Sequence, residues 1–172
     1  MSGVAGGGYA GGIKTPRAPG DAGPGSGAKG GDIPKTVGVV MATSCGTRHG
    51  PEGVTSSSPD EFWMSTGMFP QELVVRLEHK TVLSSIKVVT AGVRDMVVEW
   101  AEGPEPKNFQ KVADVSHPRP DVHGPERLTQ RQSHTVRMKD QKAWYIKVTI
   151  LSGWDDFVVV RSVVGEGEQL TG

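Results

Sequence analysis

Two copies of one tetrapeptide, His49-Gly50-Pro51-Glu52 and His123-Gly124-Pro125-Glu126, hold the residue types best suited to a metal. Two histidines and two glutamates meeting at one point would suit tetrahedral zinc. Nothing in the sequence brings the copies together, and Gly-Pro is a common turn dipeptide, so the repeat reads as two turns. Cys45, the only cysteine, is a nucleophile only with a histidine partner, and no local signature supplies one; it reads as a small thiol in a loop or core. His79, His117 and His134 are scattered over predicted loops and one edge. The run Gly7-Gly8-Tyr9-Ala10-Gly11-Gly12-Ile13-Lys14-Thr15 nearly spells a phosphate loop. Ile13 breaks its Gly-Lys pair, no strand precedes it and no helical period follows. The chain is therefore read as a non-catalytic protein rather than an enzyme.

Composition narrows the class further. The 172 residues, with 19 basic and 19 acidic side chains, give no electrostatic footprint for nucleic acid or an anionic membrane. No run reaches the ~18 apolar residues a membrane helix needs, so no membrane insertion is expected. The first residues lack a basic start followed by an apolar core, so no secretory signal is read. A single cysteine forms no intrachain disulfide, which fits a reducing compartment. Of the 24 glycines, 12 fall in residues 1–32, with Pro16, Pro19 and Pro24. That stretch buries too little apolar surface to offset the entropy of ordering it. Residues 1–34 are read as a disordered Gly/Pro-rich tail, 35–168 as one domain, and 169–172 as a short C-terminal tail.

From residue 36 on, the apolar pattern has a period of two. Val37–Met41 reads as a first strand. Leu73, Val75 and Leu77 share one face, and Val82, Ile86 and Val88 share another; Met96, Val98 and Trp100, then Trp144, Ile146, Val148 and Ile150, do the same. Phe109–Val115 is a further strand, and Phe157–Val160, apolar on both faces, reads as central. Arg131–Met138 is polar and suits an edge strand, with a short helix across Glu126–Val136 as the competing reading. Its basic residues are interleaved with acids and lack aromatics, unlike a nucleic-acid platform. Turn dipeptides separate the strands, as at Ala91-Gly92, His117-Pro118 and Ser152-Gly153. Seven or eight short strands give an all-β antiparallel sandwich or jelly roll.

Two segments carry a family resemblance. One runs from Ala42-Thr43-Ser44 through His49, Pro51-Glu52 and Pro59-Asp60-Glu61 to Phe62-Trp63-Met64-Ser65-Thr66-Gly67-Met68-Phe69-Pro70-Gln71-Glu72. The other joins Trp144–Val148 to Ser152-Gly153-Trp154-Asp155-Asp156-Phe157 and Ser162–Gly167. Together they resemble the intraflagellar transport protein 25 family over roughly residues 37–167. The resemblance implies a galactose-binding-like jelly roll. It implies a subunit of intraflagellar transport complex B, paired with a Rab-like small GTPase (intraflagellar transport protein 27) and working in ciliary cargo trafficking and export. The implied location is the cilium or flagellum, with a cytoplasmic and basal-body pool. The alternative is a carbohydrate-binding module of the same superfamily, against which stands Asn108 as the only asparagine.

The family also implies a calcium site. Its ligand positions correspond here to Gly53, Ser56-Ser57 and Glu61, with Glu166 near the last strand as the one match. Calcium takes six to eight oxygens, usually with several carboxylates, and these residues supply few. The expectation is no cofactor, with calcium as the alternative; Glu166 is the matching ligand, and Asp60 or Glu61 could substitute for the missing carboxylate. Phe62, Trp63, Trp100 and Trp144 are expected in the core. Met68, Phe69, Pro70 and Trp154, in turn-like stretches, are the candidates for partner contact, because aromatic residues and Met are enriched at interfaces. For Phe69 and Trp154, capping one end of the sandwich is the other reading.

Overall fold

The computed structural model describes residues 36–170. The reading of residues 1–34 as a disordered tail, and that of Thr171-Gly172, lie outside them. The strands are β1 (Thr36–Ala42), β2 (Trp63–Met64), β3 (Gln71–Ala91), β4 (Val93–Ala101), β5 (Gln110–Ser116), β6 (Gln132–Gly153) and β7 (Val159–Gln169). Gln169, assigned above to the C-terminal tail, closes β7, and Leu170 N–H bonds to the Lys80 carbonyl. Every pairing is antiparallel.

Two strands are longer than the sequence pattern implied. Leu73–Leu77 and Val82–Val88 belong to the single 21-residue β3, and Arg131–Met138 joins Trp144–Ile150 in the 22-residue β6. Each takes part in both layers of the sandwich. The first half of β3 lies between β1 and the end of β6, which continues to β4 and β5. The second half of β3 lies between β7 and the start of β6, and β7 carries β2. The register breaks between Arg76 and Thr81, where β3 passes from one layer to the other.

A second break, between Leu83 and Ser85, changes which residues face inward. Before it the odd positions Leu73, Val75, Leu77 and Leu83 are buried; after it Ile86 and Val88 are. A one-residue irregularity flips every later side chain. Val82 is therefore only half-buried, and Leu83 takes the core place the alternation assigned to it. The start of β6 pairs with β3 alone and exposes Arg137, Lys139, Asp140 and Lys142, a charged edge that resists pairing with other chains. The competing helix is confined to a 3-10 turn at Gly124–Leu128.

Trp63 is fully buried and Trp100 is buried in the main core with Met96, Val98, Ile146, Val148 and Ile150. Phe62 is not a core residue, and Trp144 is half-buried outside the main core. Phe62 is half-buried, stacked on the His49 ring at 4.0 Å with Arg161 over its other side at 5.1 Å. Trp144 lies opposite the register break, where Ala143 and Ile146 both enter the main core. It packs instead with Val74, Ala101 and Tyr145 in a second cluster, under Arg76.

Asp95 on β4 ties three strands together. Its carboxylate accepts from Ser152 Oγ at 2.7 Å, Ser116 Oγ at 2.8 Å and Arg94 Nε at 2.8 Å. These bonds, the Ser152 bond foremost, lower its pKa from 3.8 to about 2. A carboxyl more acidic in the folded chain contributes stability above its ordinary pKa and loses it as pH falls through the folded value. Thermal stability is expected to fall as pH drops from about 4 to about 2. Asp95→Asn should remove part of that slope, and unfolding temperatures measured across this window check it.

Candidate functional site

The stretch between β2 and β3 is held from beneath by polar side chains. Ser65 is buried, donates its backbone N–H to the Val158 carbonyl at 3.0 Å and accepts Val158 N–H on its Oγ at 3.0 Å. This reciprocal pair fastens residues 64–66 to the entry of β7. Gln71, also buried, accepts from Ser44 Oγ at 2.7 Å and Thr43 Oγ1 at 3.0 Å, and donates Nε2–H to the Met68 carbonyl at 2.6 Å. Ser44 Oγ accepts Thr66 N–H at 3.1 Å. With its backbone so fixed, Met68 holds its side chain out, 89% exposed. Phe69 turns the other way. It is half-buried against the core, its ring tip 2.8 Å from where a Cβ on Gly153 would stand. Glycine at 153 makes that approach possible. Pro70 is exposed beside it.

The loop after β6 is held by Arg127. This residue is 8% exposed. Its guanidinium donates to the Val122 carbonyl at 3.0 Å, the Trp154 carbonyl at 3.2 Å and Asp155 Oδ1 at 3.0 Å, with His123 Nδ1 at 3.4 Å. A planar fork with five N–H donors suits such a set. Trp154 N–H reaches the Gly92 carbonyl at 2.8 Å, and Arg94 lies 5.7 Å over its half-buried ring.

These two loops meet. Met64, Thr66, Met68 and Phe69 line a hollow of about 680 Å³ together with Asp156 and Phe157. Asp156 and Phe157 also line a second hollow of about 440 Å³, with Trp154, Leu128 and Pro125. Met68, Phe69 and Trp154 thus lie around one shared wall. Phe157 belongs to this site and not to a central strand. It precedes β7, which begins at Val159, and is 40% exposed. Its apolar neighbours Val158–Val160 hid this in the sequence. Asp156 entered only as part of the family-like segment and Arg127 only as part of a basic stretch, and neither pointed to this site.

The implied metal ligands do not assemble. A Cβ on Gly53 would stand 2.6 Å from the Phe62 backbone nitrogen, so the loop closes on itself where a ligand side chain would project. Ser56 Oγ is occupied by Ser58 N–H at 3.1 Å. Glu61 borders Phe62, which Arg161 covers. Glu166 lies near the end of β7, opposite Ser85 of β3. There its carboxylate accepts from Ser85 Oγ at 2.6 Å. Gly53 supplies no side-chain oxygen, and Ser56 and Glu166 hydrogen-bond within the fold, so these positions offer few free oxygens to an ion that takes six to eight. The two His-Gly-Pro-Glu copies each open a 3-10 turn, and no group of three or more His, Cys, Asp or Glu forms a metal site among the described residues.

No protein-family model matches the chain. Solved structures match its fold closely. A carbohydrate-binding module of Clostridium perfringens in complex with GalNAc-β-1,3-galactose superposes with TM-score 0.60 at 13% identity, over 74% of this chain and 93% of that one. A second module, from a family 31 glycoside hydrolase of the same organism, gives 0.63 at 16%, over 76% and 90%. The fold is thus a galactose-binding-like jelly roll, and the site on it is a largely apolar loop surface. Among curated proteins, intraflagellar transport protein 25 of Chlamydomonas reinhardtii is 36% identical over 129 residues, 74% of this chain and 64% of that protein. The human and mouse homologues are 30% and 29% identical, over 75% of this chain and 85% of theirs. The chain belongs to the intraflagellar transport protein 25 family. It spans about two thirds of the algal relative's length.

Proposed function

We propose that the chain is a non-catalytic subunit of intraflagellar transport complex B. In this reading it pairs with a Rab-like small GTPase, intraflagellar transport protein 27, contacts other complex B subunits, and supports ciliary cargo trafficking and export. It works in the cilium or flagellum, with a cytoplasmic and basal-body pool. The observation that carries the reading is the surface around Phe157. A member of this family presents Met68 and Phe157 to solvent on loops braced from below. Loops whose backbone is already fixed need little further backbone ordering when a partner covers them. No bound cofactor or calcium is needed for such work, since the contact is one of shape and charge.

A carbohydrate-binding role draws on likeness of fold alone. Sugar hydroxyls need several polar groups, and the hollow beside Met68 offers Asp156 as its one charged residue. The test is recovery of the GTPase with tagged chain from ciliated cells. Near-equal amounts of the two proteins are expected at low and moderate salt, and recovery of no GTPase at either would sink the reading.

A further inference from the structure

We infer that the partner docks on the wall between the two hollows with an amphipathic segment, its apolar side chains on either side of Phe157 and a lysine or arginine over Asp156. The inference rests on the pairing proposed above and specifies its chemistry. The apolar half follows from exposure. The Gln71–Met68 bond fixes the Met68 backbone with its side chain in water, and Phe157 stands half-exposed next to the Ser65–Val158 tie. The backbone at both sites is tied by these bonds, so a partner that covers the two side chains removes them from water without refolding the loops. Methionine adapts its shape to the group that lands on it.

The cationic half follows from the charges nearby. Arg127 is taken up by Asp155 at 3.0 Å, and Arg94 by Asp95 at 2.8 Å. Asp156 has no salt bridge and no side-chain hydrogen bond among the described residues, yet it borders both hollows. A partner that covers the surface withdraws this carboxylate from water. An unpaired buried carboxylate opposes binding strongly, while a cation placed on it restores the loss. The same charge rejects an apolar segment flanked by acids, which gives selection between partners of similar shape.

The experiment uses the full chain and the small GTPase, both purified, titrated at two salt concentrations. Met68→Ser and Asp156→Lys, both at exposed positions, are each expected to weaken binding about tenfold or more. Asp156→Asn should weaken it less and flatten its salt dependence, because one charge pair is lost. Lys111→Ala on the edge strand β5 should leave it unchanged. GTPase bound equally by the Met68 and Asp156 variants overturns the inference and leaves the pairing intact. Loss with Met68→Ser alone overturns the cation. Self-association of the free chain that Asp156→Lys abolishes assigns the surface to a second copy and overturns it too. Absence of GTPase binding by the unaltered chain overturns the pairing, and the inference with it.

Discussion

Trp63→Ala is expected to destabilise the fold by about 3–5 kcal/mol, the range for deleting a large aromatic side chain from a packed core. The indole is fully buried between the layers, and its Nε1–H donates to the Ser44 carbonyl at 3.0 Å. β2 is only two residues long and pairs with β7 alone, so backbone bonding does little to hold it. The side chain is what anchors that segment. Removing it opens a cavity and frees the Ser44 carbonyl; the Ser44 hydroxyl in turn positions Thr66 and Gln71. Trp63→Phe keeps much of the volume and loses the hydrogen bond, for about 1–2 kcal/mol. Urea denaturation of the three chains checks both values. A Trp63→Ala chain within about 1 kcal/mol of the unaltered one would contradict the anchoring role.

The contrast between Trp63 and Trp144 shows what sequence could and could not convey. Trp144 sits in an alternating apolar stretch and Trp63 at a strand entry beside Phe62; the alternation of Met96, Val98 and Trp100 or of Ile146, Val148 and Ile150 reads directly as core because local pleating decides it. Trp144 is displaced by a register break, which depends on the strand opposite. The same dependence merged Leu73–Leu77 with Val82–Val88 into one bent strand and exchanged Val82 for Leu83. The site behaves alike. Met68 and Trp154 were visible as large side chains in turn-like stretches. Their convergence around Phe157 follows from the Ser65–Val158 pair, which joins residues 93 positions apart. Gly53 pressed on the Phe62 backbone is likewise a fact of packing, which leaves no room for a ligand side chain at that position.

Arg127→Ala is expected to destabilise the chain by about 2–3 kcal/mol, because a nearly buried cation leaves two carbonyls and a carboxylate without their donor. Asp155 is 30% exposed in its side chain and water can take over part of its solvation, so Asp155→Asn should do less. Lysine has the charge without the fork, and one ammonium does not reach the Val122 carbonyl, the Trp154 carbonyl and Asp155 with the same geometry. Arg127→Lys should therefore recover only part of the loss. The damage should be local as well as global. Faster amide exchange is expected at Trp154–Phe157, while the β3–β6 ladder exchanges as before until global unfolding. GTPase affinity should fall with it, although Arg127 faces inward and touches no partner, because the carboxylate of Asp156 and the ring of Phe157 would no longer be held in one place. A variant that loses stability but keeps full affinity would mean that the docking surface does not depend on this loop.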